Sequence, residues 1–230
     1  MTTARQLTTL GGVRRAFVSA SSPRVIAVSL LGVAAARTRL GNPTWFDLAV
    51  AVGVALAVGP VEWIIHRTLL HAPRGRWISE QLGTRDSHER HHSEPDDLDW
   101  LLLRRLNAIG SCGAIVGPAV LITLGVATAF GDVSHRAAWA TAATGALVAL
   151  LALLHYEWVH LLVHSRYQPR SGFYRRLDRH HRLHHFRNEQ YWLGVTSNSG
   201  DRLFGTLPAD RSAVPLSATA RSVSVVRPRR

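Results

Sequence analysis

Lysine is missing from this chain of 230 residues, and cysteine very nearly so. All 27 cationic side chains are therefore arginine, set against 15 carboxylates, for a formal net charge of +12. Arginine-only usage carries little functional weight in itself. With Cys112 as the one cysteine, no intrachain disulfide can form. It lies in an apolar run, where a free cysteine behaves as a small packing residue. Paired Cys/His fingers and an RNP box are also lacking, so no motif ties the positive charge to nucleic acid. An anionic membrane surface suits it better. The opening stretch MTTARQLTTLGGVRRAFVSASSPR has no unbroken apolar core leading to a small-residue cleavage site, and is not expected to act as a secretory signal.

Charge is also absent over long stretches. A bilayer span needs roughly 20 mostly apolar residues, and three runs qualify. Trp45 to Ile65 is interrupted by Asp47, Pro60 and Glu62, whereas Leu106 to Gly131 and Ala137 to Leu154 carry no charge. Val25 to Ala36, before Arg37 and Arg39, is short for a span and suits a partial or interfacial helix. The link DVSHR, Asp132 to Arg136, is short enough to make the last two runs an antiparallel hairpin. Segments 66–107 and 165–205 are rich in arginine and are expected on the cytoplasmic side. If the weak run also spans, Arg37 and Arg39 fall on the opposite side, against that tendency. The stretch from Leu207 onward, rich in Ser, Ala and Pro and ending RPRR, reads as a disordered tail. Its basic end could touch anionic lipid.

What the chain does have is histidine, thirteen in all. Ten form four spaced groups: His66 and His71 in HRTLLH, His88, His91 and His92 in HERHH, His160 and His164 in HLLVH, and His181, His184 and His185 in HRLHH. Two groups follow or end the first strong run and two follow or end the last, so the hairpin topology gathers all four on one membrane face. Positions i, i+3 and i+4 share a helix face, so each His-x-x-His-His aims three imidazoles into one space. His66 and His71 are five apart and diverge on an ideal helix; they fit a helix end, or ligation of different metals. Buried imidazoles need partners for both nitrogens, and as clustered cations they would repel. Neutral imidazole is a ligand for Zn, Fe, Cu and Ni. Ten ligands exceed the needs of one ion. About five each for two ions leaves an open position, unlike a closed four-ligand structural zinc site. Glu62 and Glu157, near His66 and His160, either orient ligands or are interfacial charges. His135, His155 and His180 stand outside the scheme as structural or supporting residues, with His155 a competitor to His160.

In this order the groups HxxxxH, HxxHH, HxxxH and HxxHH resemble the membrane fatty acid hydroxylase and sterol desaturase superfamily. HERHHSEPDD is similar to that family's HxxHHxxPxD stretch, with Pro95 and Asp97 in place, and GVTSNSGDRLFGT, Gly194 to Thr206, is similar to its closing segment. The likeness runs from about Trp63 to Thr206 and is greatest to the fatty acid 2-hydroxylase branch, whose metal-binding histidines match all ten positions. The resemblance implies an all-α integral membrane protein, with about four transmembrane helices and a cytoplasmic helical cap bearing a histidine-rich di-metal site. Residues 25–206 would form the hydroxylase-like domain, between a basic segment 1–24 and a disordered tail 207–230. It further implies two iron ions that activate O2 and oxidise an aliphatic C–H of a bilayer lipid to an alcohol or an alkene. Electrons are expected from a separate donor such as a cytochrome b5 or ferredoxin. Spacing alone accommodates zinc as readily; iron enters because the reaction is a redox one, which Zn²⁺ does not support.

Two rival readings stay open on sequence. Bacterial carotenoid β-ring hydroxylases share similar histidine groups, small size and about four membrane helices, and YRRLDRHHRLHH is reminiscent of them. A pigment change on expression would separate the two. A non-enzymatic metal-binding membrane protein is the other. Metal transport predicts ionisable residues lining the spans, and the two uncharged runs offer only Ser, Thr, Asn107 and Cys112. Oxygen uptake with lipid and reductant discriminates storage or sensing from oxygenation.

Overall fold

The computed structural model describes residues 3–129 and 134–221. Among them there are helices and turns but no strand, as long apolar runs demand: in hydrocarbon, backbone N–H and C=O groups must be satisfied within the segment itself. The helices are α1 (Leu10–Ser19), α2 (Ser21–Thr38), α3 (Trp45–Ile65), α4 (Trp77–Leu82), α5 (Thr84–Ser93), α6 (Leu98–Leu101), α7 (Arg105–Ala129), α8 (His135–His164), α9 (Gly172–Phe186) and α10 (Ser199–Leu203). Three stretches are long and apolar enough to cross a membrane: Trp45–Leu70, Leu98–Val126 and His135–His164. Taking α1 and α2 together as one broken span makes four. The weak run at Val25–Ala36 thus becomes part of an 18-residue helix. Residues 130–133, which include the start of the proposed hairpin link, and the RPRR end lie outside the described residues.

The chain divides into two compact units. The first comprises Val18–Val58 and Leu103–Glu157. Its core joins Ile26 of α2, Cys112 of α7 and Leu150 and Leu153 of α8, so Cys112 is the packing residue its sequence setting indicates. Of the three spanning candidates, His135–His164 has 56% of its most apolar window buried, against 11% for each of the others. This makes α8 the inner helix and leaves Leu48, Leu56, Leu121 and Ile122 exposed, as lipid-facing side chains would be. Buried Arg37 is not a free charge. Its Nη2 lies 3.2 Å from Asp47, its Nε donates to Thr144 at 2.9 Å and its Nη1 to the Gly41 carbonyl at 2.8 Å. Asp47 also accepts the amide and hydroxyl of Thr44 at 2.7 Å. A neutralised pair removes half of the charge conflict posed by Arg37 and Arg39, because an unpaired ion in this setting costs several kcal/mol. Glu157 is likewise satisfied inside this unit, accepting from the Ser22 hydroxyl and, at 3.2 Å, from the Leu103 amide.

The second unit comprises Met1–Phe17, Gly59–Leu102 and Trp158–Arg230 and contains all ten grouped histidines. Its two ends are tied in. Ala4 donates to the Asp96 carbonyl at 2.9 Å, Arg5 pairs with Asp96 at 2.5 Å, and the Leu7 carbonyl accepts from Arg166 at 3.1 Å. At the other end, Arg187 donates to the carbonyls of Val214 and Ser212, Asn188 to that of Pro215, and the Ser217 amide to the Arg187 carbonyl. Residues 207–221 are therefore hydrogen-bonded chain, where composition suggested a solvated tail. The difference has a plain cause: most of the partners are backbone carbonyls, which composition does not register, with the Glu189 carboxylate accepting from Ser217 and Thr219 besides.

Candidate metal centre

Four local structures aim the histidines. The first is a π turn, His66–Leu70, that continues α3. Its closing bond runs from the His71 amide to the His66 carbonyl, five residues back, at 2.9 Å. That spacing brings onto one face two residues that an α-helix would set apart. The two rings stack with centroids 5.0 Å apart. A π turn inside a helix is rare and is associated with functional sites. His66 and His71 thus lie at the end of α3, and both rings fall in one group.

On α5, His88, His91 and His92 are buried; on α9, so are His181, His184 and His185; the end of α8 supplies His160 and His164. The ten rings form two sets of five, His66, His71, His88, His92 and His184, and His91, His160, His164, His181 and His185, with one nitrogen from each ring within 4.8 Å of the others in its set. Each HxxHH motif is thus divided. Neighbours His91 and His92 part company, as do His184 and His185, because successive residues on a helix differ in direction by about 100°. His135, His155 and His180 belong to neither set; the Asn198 amide reaches the His180 Nδ1 at 2.8 Å.

The donor geometry fits metal ions. Around an ion bound at about 2.1 Å, nitrogens at right angles stand about 3.0 Å apart and opposite ones about 4.2 Å. In the first set the His88 Nε2 is 3.1 Å from those of His66, His71 and His92, and His71 is 3.2 Å from His184. In the second set His91 and His160 are 3.1 Å apart, His164 and His181 2.8 Å, and His181 and His185 3.1 Å. These contacts do not work as hydrogen bonds alone, since one His88 nitrogen faces three others and a neutral ring carries a single N–H. The Nδ1 of His66 lies 2.5 Å from the Leu193 carbonyl and that of His184 3.0 Å from the Tyr191 carbonyl. A carbonyl only accepts, so both protons sit on Nδ1 and both Nε2 lone pairs point inward. Backbone carbonyls of Leu101 and Pro95 serve His160 and His164 in the second set.

Burial, reinforced by the neighbouring imidazoles, drives His71, His88, His91, His92, His181 and His185 well below the ordinary histidine range. His184 is pushed down to about 4, with the Tyr191 carbonyl opposing the effect of burial. Rings held neutral are rings ready to ligate.

Two acids complete the surroundings. Glu62 does not orient a ring directly. It accepts the amides of Val195 and Thr196, the latter at 3.0 Å, and the Thr196 hydroxyl. Asp201, not singled out in the sequence, accepts the amides of Leu193 and Gly194, each at 2.8 Å, and the Thr206 hydroxyl at 2.6 Å. Its place in a Gly- and Ser-rich segment after the last HxxHH was the available signal. The segment must be small: a Cβ on Gly194 would lie 1.9 Å from the Ser197 carbonyl oxygen, and one on Gly200 2.6 Å from the Gly59 carbonyl oxygen.

The chain is similar to known proteins in sequence and in fold. The family model described as fatty acid hydroxylase matches residues 51–206. Dihydroceramide fatty acyl 2-hydroxylase FAH2 of Arabidopsis thaliana is 34% identical over 64 residues, which is 28% of this chain and 27% of that protein. The chain thus covers about a quarter of the length of that relative. A solved structure described as full-length scs7p, with only its hydroxylase domain visible, matches with a TM-score of 0.63 and 24% identity over 85% of this chain and 68% of that one. At that identity the likeness is one of fold.

Proposed function

Because the chain belongs to the fatty acid hydroxylase family, a family of lipid-hydroxylating oxidoreductases, we propose that it is a membrane-bound di-iron oxygenase that hydroxylates the acyl chain of a lipid at carbon 2. The observation that carries this reading is the pair of five-imidazole sets, each with its ligand nitrogens within 4.8 Å. Position 2 rests on the likeness to a dihydroceramide fatty acyl 2-hydroxylase. All ten grouped histidines are the proposed ligands, one ion per set. Five donors per ion leave a sixth position for another ligand. Iron bound there supplies the redox chemistry with O2 that zinc, with one stable oxidation state, does not.

The chain's own residues hold the rings neutral by burial, fix His66 and His184 with Nδ1–H toward the loop 191–193, and keep both Nε2 lone pairs inward. Overall, one atom of O2 enters the C–H bond as hydroxyl. The other leaves as water, taking two protons from solvent and two electrons, one at a time, from a separate donor of the cytochrome b5 or ferredoxin kind. The arginine-rich histidine unit is proposed to face the cytoplasm. Residues 25–206 are proposed to carry the chemistry, braced by the hydrogen-bonded ends.

Lipid profiles of cells with and without the gene, grown under ¹⁸O2, test the proposal. A 2-hydroxyacyl lipid carrying one ¹⁸O is expected only when the gene is present. An unchanged lipid profile, an alkene product or a hydroxylated carotenoid would contradict it.

A further inference from the structure

Resting on the two-ion reading above, we propose that Asp201 and Glu62 are positioning residues for one ion only, the one assigned to His66, His71, His88, His92 and His184. The two carboxylates hold one short loop. Asp201 takes the amides of Leu193 and Gly194 and Glu62 those of Val195 and Thr196, so four successive N–H groups end on two acids, Asp201 buried and Glu62 half-buried. The carbonyls of the same loop face the other way, Leu193 to His66 and Tyr191 to His184. Both of these rings belong to the same five-histidine set. In the other set the carbonyls that face His160 and His164 are those of Leu101 and Pro95, in a different segment.

The loop is held against its own preference. Trp192, between the two carbonyls that matter, is the one non-glycine described residue with positive φ, at 53°, and is almost fully buried. Such a conformation costs of order 1–3 kcal/mol and persists where its surroundings over-determine it. Here the Trp192 amide is tied to the Thr206 carbonyl at 3.0 Å, and the Thr206 hydroxyl, which also accepts from Trp63 at 2.7 Å, is tied to Asp201. Releasing the loop leaves the Nδ1–H of His66 and His184 without fixed acceptors. Both rings then lose their set tautomer and orientation, a change that typically weakens metal affinity by about 10–100-fold.

The isosteric amides make opposite predictions at the two positions. In Glu62→Gln the amide oxygen still accepts from Val195 and Thr196, and the new NH2 donates to the Thr196 hydroxyl, so no backbone N–H is orphaned. In Asp201→Asn no orientation works. With NH2 in one position it meets the Gly194 N–H; with NH2 in the other it meets the Leu193 N–H, and one buried amide loses its acceptor.

The test is iron per chain in the full-length protein, purified with iron supplied, before and during dialysis against a chelator. Parent and Glu62→Gln are expected to keep two ions with equal lability. Asp201→Asn is expected to release one equivalent about 10–100-fold faster while keeping the other, and to add nothing when His66→Ala is already present. If Asp201→Asn does not fold, Thr196→Val, which removes the hydroxyl bond to Glu62 that the Gln variant keeps and leaves that oxygen facing a methyl group, is expected to accelerate release of the same single equivalent. The proposal is overturned if folded Asp201→Asn and Thr196→Val keep both ions at the parental rate, or if both ions leave together. A parent that binds no transition ion would overturn the two-ion reading and this inference with it, a result distinct from all the others.

Discussion

A neutral imidazole has one N–H and one lone pair, and that limit decides how the ten histidines are read. A His88 nitrogen 3.1 Å from three others has too few protons for a hydrogen-bonded network, but suitable lone pairs for a cation. Removing one ring from either set should therefore be severe. His184→Ala and His91→Ala, one per set, are expected to lower product formation by at least ~100-fold, beyond the usual outer-shell effect, and to lower metal content. His135→Ala, at the exposed start of α8 and outside both sets, is expected to leave both unchanged. Metal analysis and product assay on the three variants check this. Protons compete for the same lone pairs. His184 is held at about 4 when folded and returns to about 6.5 when unfolded, so between those pH values the unfolded chain binds more protons. Stability of the metal-free protein should fall as pH drops from 6.5 toward 4, by ~1.4 kcal/mol per pH unit for each such histidine. Thermal unfolding in detergent across that range measures it; a midpoint that does not move would contradict the burial of neutral rings.

At the scale of elements, the π turn His66–Leu70 does what an α-helix would not. Deleting Thr68 should remove the extra residue and return the segment to α geometry, with His66 and His71 then four apart and still on one face, so hydroxylation is expected to survive. Inserting an alanine after Thr68 sets the two rings six apart and is expected to abolish hydroxylation with the apolar unit still folded, read by product assay and by circular dichroism; full activity of the insertion would contradict the shared-face reading. This element also shows where sequence reading stops. The helices around the HxxHH groups, the spans and the convergence of ten rings, five to a set, follow from spacing and apolar length. The π turn does not, since five-residue separation alone suggests divergence. Nor does the splitting of each HxxHH between two sets, which depends on α5 and α9 facing one another across both. Glu62 was legible as a buried acid needing a reason, but its partners are amides 133 and 134 residues away. Backbone donors leave no mark in composition. The same holds for residues 207–221, whose anchoring to Arg187 and Asn188 is through carbonyls.

For the whole molecule, the division of labour lies between an apolar unit and a histidine unit. The apolar unit needs only long apolar helices, and its buried charged groups are satisfied internally, Arg37 with Asp47 and Glu157 with Ser22 and Leu103. The histidine unit spends its sequence on precise placement: two carboxylates, a strained tryptophan and crowded glycines exist there to hold rings whose lone pairs converge. The two-centre arrangement underlies every other assignment, from O2 use to the selective role of Asp201. Its most direct measurement is the ratio of iron to protein, by elemental mass spectrometry on the intact chain purified from iron-supplied cells. The arrangement predicts about two ions per chain, falling to one when either set alone is disabled. A ratio near zero, or a single ion lost equally on disabling either set, would contradict it.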